Sequence, residues 1–350
     1  MARLLNQPSA VCFSSDIDDI EFSTQDENAV LKVDVVCGSD RIEVLAETVY
    51  ADVSHRVSLV DVSSLVELYA KQHLQVRLEC SLTDSQGTTS IEPVTVLYAM
   101  ADVGVEASAF LSSHFLTVLD GEKITAMGRE ERLYACGADS VTVIADVQLA
   151  TGEMNTLSAT VRASGTTGSV SQFDVSPSQI VAVLGLQGQM FRYRVEAGER
   201  VQDFVMVEDR SVPAPSLIFT NSFGCQEFLH CVGTHMKDSK YTRTSARVKG
   251  KLRNFHIVED RQFKANTGWL NTAMADWADD LFRSTEVFLW VDGLVGKEIV
   301  ITDSKSELSS DDDHMPSFEF TYGYAQRIHN VMQPSHAGRV FDNTFDYTFR

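Results

Sequence analysis

The chain reads as a mainly β protein built of two or three β-sandwich or barrel domains, with one flanking helix in the first domain and one in the last. Three observations predict this. At 350 residues the chain exceeds what one small core needs. Alternating apolar runs of strand length recur along it, separated by turns rich in Gly, Ser, Asn and Asp. Two segments alone carry a helical apolar period.

Residues 1–105 form the first β-rich domain. Ala29–Val36 and Arg41–Tyr50 alternate, and Gly38-Ser39-Asp40 between them is turn chemistry. Arg56–Val60 leads into a short helix over Ser64–His73. Ser64 and Glu67 stand at capping-box spacing, and Leu65, Leu68 and Tyr69 mark the apolar side. Strand pattern resumes at Leu74–Cys80 and Glu92–Tyr98.

Residues 106–213 read as an all-β sandwich without a helix. Phe110–Leu119 is apolar and extended. Strands are expected at Glu131–Ala135, Ser140–Val147, Ser158–Arg162, Gln179–Leu184, Met190–Val195 and Gln202–Val207. Pro213-Ala214-Pro215 is a stiff joint and the stronger of the two domain boundaries.

The third domain, residues 216–332, organises the chain. An extended run covers Arg243–Arg261, and a turn follows at Asn266-Thr267-Gly268. A helix spans 271–285, with Asn271 or Thr272 as N-cap. Met274, Trp277, Ala278, Leu281 and Phe282 form one stripe, the packing face, with Asp276, Asp279, Asp280 and Arg283 opposite. Strands follow at Val287–Val291, Glu298–Thr302 and Phe318–Tyr324, the first two joined by a turn at Asp292-Gly293. Residues 333–350 form a C-terminal aromatic arm. Phe345, Tyr347 and Phe349 alternate there, and with Val340 and Phe341 they are the candidate interaction residues. The arm docks either on its own domain or on a sheet edge of an adjacent subunit.

Composition narrows the function classes. The net charge of −20 argues against specific nucleic-acid binding and against anionic membranes. No run of about 18 apolar residues exists, so no membrane span is expected, and the N-terminal residues carry no readable secretory signal. The chain is expected to be made and to fold in the cytoplasm. The six cysteines (Cys12, Cys37, Cys80, Cys136, Cys225 and Cys231) lack C-x-x-C spacing and read as buried reduced thiols.

The motifs are equally plain. The acidic clusters at Asp16, Asp18, Asp19 and at Asp311–His314 lack EF-hand spacing and read as solvated loops. Gly185–Gly188 lacks the Lys-Ser/Thr of a phosphate loop. Neither G-x-S-x-G nor H-E-x-x-H occurs. His230, His235 and His256 read as ordinary histidines. No cofactor, no metal ligand and no catalytic residue is assigned, and the chain is expected not to be an enzyme. Trp269 alone of the three tryptophans lacks a core explanation, which keeps open a carbohydrate-binding or surface-adhesion role. A hydrolase using paired carboxylates ranks third.

Four segments carry a resemblance. Phe219–Phe228, Phe263–Gly268, Val300–Lys305 and Met315–Tyr322 resemble segments of virion structural proteins of tailed phages and prophages of gut bacteria. The strand–helix–strand layout of residues 216–349 is similar to the fold of tail-tube and distal-tail proteins. The resemblance implies a component of the tail: a tube, distal-tail or tail-associated ring protein that works by self-assembly and protein–protein contacts. Its partners would be copies of itself in a ring, six being one candidate number, and other virion proteins. It would assemble in the host cytoplasm and reside in the virion. The acidic charge suits a lumen through which DNA passes without sticking.

Overall fold

The computed structural model describes residues 2–208, 214–305 and 315–326. Pro213, the acidic loop at Ser306–His314 and the aromatic arm with Val340, Phe341, Phe345, Tyr347 and Phe349 lie outside the described residues. The protein is mainly β, in several sheets.

The first unit runs β1 (Arg3–Asn6), β2 (Val11–Phe13), β3 (Ile20–Ser23), β4 (Asn28–Cys37), β5 (Asp40–Tyr50), β6 (Arg56–Leu59), α1 (Val62–His73), β7 (Gln75–Asp84), β8 (Gly87–Ser90) and β9 (Val94–Leu97). Three strands pair as β1-β3-β6. The larger sheet runs β2-β9-β7-β4-β5, with β8 on β7 and with β2 and β9 parallel. Between them lie Phe22, Val33, Val35, Leu78 and Val66. The expected β4–β5 hairpin forms, with Cys37 opposite Asp40. The helix differs from its expectation. It begins at Val62, two residues early, because the Ser64 hydroxyl donates to the Asp61 carbonyl (2.9 Å) instead of capping the helix. Val62, Val66 and Ala70 therefore face the core, and Leu68 is 70% exposed.

The second unit runs α2 (Ala107–Ser113), β10 (Lys123–Thr125), β11 (Arg132–Cys136), β12 (Ser140–Leu149), β13 (Met154–Arg162), β14 (Gly165–Thr167), β15 (Val170–Asp174), α3 (Pro177–Leu184), β16 (Gly188–Ala197) and β17 (Arg200–Met206). Its sheets are β10-β17-β16-β12-β13 and β11-β15-β14. Two helices correct the all-β expectation. In α2, Ala107, Phe110 and Leu111 share one buried face at helical spacing. In α3, the apolar run read as a strand is bracketed by Pro177 at the helix start and Gly185 at its end. Gly185 adopts φ 61°, and its N–H bonds back to Val181 and Ala182. Five apolar residues cannot distinguish strand from helix by period, and those end signals decide it.

The third unit runs β18 (Ser216–Thr220), β19 (Gln226–His230), β20 (His235–Val248), β21 (Lys251–Asn266), α4 (Thr272–Arg283), β22 (Val287–Val291), β23 (Leu294–Lys305) and β24 (Glu319–Tyr324). Its strands all join one antiparallel sheet, β19-β18-β22-β23-β24-β21-β20. α4 lies on it as expected. The Asn271 side chain accepts from the Met274 N–H (2.7 Å). Met274, Trp277, Ala278 and Leu281 are buried, and Phe282 is half-buried against Phe318 and Phe320. Gly268 closes the turn before it at φ 79°, where a Cβ would meet Val232 at 2.3 Å.

One expected extended run proves to be two strands. Residues 243–261 fold back at Lys249-Gly250, which adopt φ 50° and 77° and form a two-residue hairpin loop. Asp292-Gly293 turns in the same way, with φ 52° and 80°, as the sequence predicts.

Candidate functional site: a buried polar seam and an exposed ribbon

The three units meet at an apolar seam of Phe13, Phe110, Leu116, Tyr134, Phe223 and Cys225. Phe110 stacks on Phe223 at 5.3 Å. Gly224, at φ 74°, lets the third unit close on the first: a Cβ there would meet Leu74 at 2.7 Å and Tyr98 at 3.0 Å.

Beside this seam lies a buried polar network that no local sequence signal marks. β10 supplies Lys123, the segment before β11 supplies Glu131, β19 supplies Glu227 and α4 supplies Trp277. Lys123 Nζ pairs with Glu131 at 2.7 Å, donates to the Phe228 carbonyl at 3.1 Å and stands 4.4 Å over the Trp277 ring. The Trp277 indole N–H donates to Glu227. Asn221 donates from Nδ2 to Glu227 (2.5 Å) and to the Leu116 carbonyl (2.8 Å). Its Oδ1 accepts from the Phe223 and Cys225 N–H groups, at 2.9 Å each.

Asp280 was expected on the solvent side of α4. It is buried instead, because its carboxylate caps the turn at Ser222 by accepting from that residue's N–H (2.9 Å) and hydroxyl. Burial pushes the Glu227 and Asp280 carboxyls above the usual carboxylate range. These bonds tie the second and third units together and spend the polar atoms on packing.

His230, at the end of β19, is half-buried. Its Nε2–H donates to the Glu130 carbonyl (3.1 Å), and its Nδ1 accepts from the Ser216 hydroxyl (2.9 Å). Burial lowers its pKa, so the neutral ring is the stable form. His235 stacks on Tyr322, and their Nε2 and hydroxyl lie 2.9 Å apart. All six thiols are free, and burial pushes those of Cys80 and Cys231 up to about 12. Trp269 stands 63% exposed, as its lack of a core partner suggests, beside a cleft of about 520 Å³ also lined by His230, Val232 and Met315.

The conspicuous surface feature is the β20–β21 ribbon. β21 pairs with β24 only over Gln262–Asn266, so among the described residues the strands beyond pair only with each other. The free part, Ser239–Val248 against Lys251–Arg261, reaches roughly 33 Å at about 3.3 Å per residue. Its side chains are almost all exposed, including Leu252, Phe255 and Ile257. The one sequence signal for this hairpin was Lys249-Gly250, with alternation on both sides.

No protein-family model matches the chain, and no curated protein is significantly similar to it.

Proposed function

We propose that the chain is a structural component of a phage virion, in the tail as a tube, distal-tail or tail-associated ring protein, acting by self-assembly and protein–protein contacts. Support comes from the four resembling segments and from the third unit's form, an antiparallel sheet backed by one helix. The observation that carries the reading is the outer edge of that sheet. β19 lies against the second unit, where Lys123 takes its Phe228 carbonyl. At the other end β20 runs for 14 residues with β21 on one side and no described strand on the other. A long open edge is a template for pairing with another chain. The buried seam stiffens the three units, which suits a repeated building block.

The partners under this reading are copies of the chain in a ring and neighbouring virion proteins, assembled in the host cytoplasm. Negative-stain imaging and light scattering of the purified protein across a concentration series test it. Rings or tubes are the expected result. A monomer at every concentration overturns it. A carbohydrate-binding or adhesion role draws on one observation, the exposed Trp269 at its cleft. Glycan binding lost on Trp269→Ala would favour that second reading.

A further inference from the structure

The ribbon differs in charge from everything around it. Between Ser239 and Val258 stand Lys240, Arg243, Arg247, Lys249, Lys251 and Arg253, with no Asp or Glu. Six positive charges in a chain of −20 leave −26 for the rest. No ion pair joins any of the six to a described residue. The internal pairs begin only at the ribbon's root, where Arg261 meets Glu259 at 2.6 Å.

The cations surround the ribbon. In the paired register, Arg243 and Arg247 fall on one face with Ser245, Asn254 and Ile257. Lys240, Lys251 and Arg253 fall on the other with Thr242, Thr244 and His256, and Lys249 sits in the turn. A flat acidic protein face would engage one side only. A groove between two rows of phosphates engages both, and a two-stranded ribbon has the width of a DNA major groove. Exposed Ser, Thr, Asn and His supply the neutral hydrogen-bond partners that phosphate oxygens take. The acidic body does not forbid the contact. The tip stands several Debye lengths from it, at about 8 Å each in physiological salt.

We propose that the β20–β21 ribbon is a sequence-independent binding arm for the phosphodiester backbone of duplex DNA. It goes beyond the virion reading and does not depend on it. It also refines the expectation from net charge: the chain as a whole is acidic, and its one basic element is presented alone.

The test is fluorescence anisotropy of a labelled 30-base-pair DNA duplex with the full chain, from 50 to 200 mM salt, with an equal RNA duplex alongside. The wild type is expected to bind at 50 mM and to lose about 10³-fold in affinity by 200 mM, the slope of log K on log salt being about −5 for six contacts. The variant R247Q/K249Q/K251Q/R253Q is expected to flatten that slope by about 3 to 4 with its thermal transition unchanged, since all four side chains are exposed. Tighter binding of the DNA than of the RNA duplex supports a ribbon seated between the phosphate rows of the wide groove, because the A-form major groove is too narrow to admit it. Equal binding of the two, or a strong preference for one base sequence, overturns it. Absence of binding at 50 mM, or an unchanged slope in the variant, also overturns the proposal. So does a variant that loses self-association while the wild type ignores both duplexes, because the ribbon is then a protein-docking element.

Discussion

The indole N–H of Trp277 donates to the carboxylate of Glu227, joining the middle of α4 to β19 where both side chains are buried. Glu227 accepts from two donors, Trp277 and Asn221. An amide at this position keeps one acceptor oxygen and turns an N–H₂ toward the other donor. Glu227→Gln is therefore expected to destabilise by about 1–3 kcal/mol. Urea denaturation checks it, and a loss below about 0.5 kcal/mol would show that the second bond contributes nothing.

Trp277 is the largest fully buried side chain. Trp277→Ala removes its packing against Phe219 (5.7 Å between centroids), its contact with Lys123 and its bond to Glu227. The expected cost is about 3–5 kcal/mol. A shift under about 1 kcal/mol in denaturant melts would contradict the observed burial.

Lys123 and Glu131 form a buried ion pair in which Glu131 Oε1 has no hydrogen-bond partner among the described residues. Removing one partner strands the other charge. Lys123→Met or Glu131→Leu alone is expected to cost about 3–5 kcal/mol, and the double variant Lys123→Met/Glu131→Leu much less than the sum. A double-mutant cycle with additive losses would show that the two groups do not interact.

His230 sets a pH dependence. Its folded pKa lies below the ordinary value of about 6.5 because burial disfavours the charged ring. The nearby Glu131 opposes that shift, and Arg129 and Lys123 add to it. As pH falls below about 6.5 the unfolded chain takes up the proton first. The stability contributed by the neutral ring is thus present above that pH and lost as pH falls toward the folded value. The denaturation midpoint is expected to drop between pH 7.5 and 5.5, and to drop less in His230→Gln. An equal drop in both proteins would assign the effect to other groups.

Local signals made part of this fold legible in advance. The α4 stripe, its Asn271 cap, the β4–β5 hairpin and the Asp292-Gly293 turn all depend on residues within a few positions of one another. Period and turn chemistry are local properties. The Leu68 and Asp280 expectations failed for a shared reason. A helix's period says which residues share a face, and the neighbours decide how wide the buried face becomes. Asp280 is drawn inside because the turn at Ser222 offers it an N–H and a hydroxyl. The extended run over residues 243–261 was split by two backbone angles at Lys249-Gly250 that strand periodicity does not register.

By itself, then, the sequence determined the class of fold, the covering helix of the third unit and the positions of several turns, since each follows from residues in direct succession. It also contained the basic stretch at 240–253. Only the tertiary structure showed that stretch to be a projecting ribbon clear of the acidic body. Only folding brought together Lys123, Glu131, Glu227 and Trp277, which span more than 150 positions of sequence. Each is costly to bury alone, and their pairing depends on three separate chain segments arriving at one place.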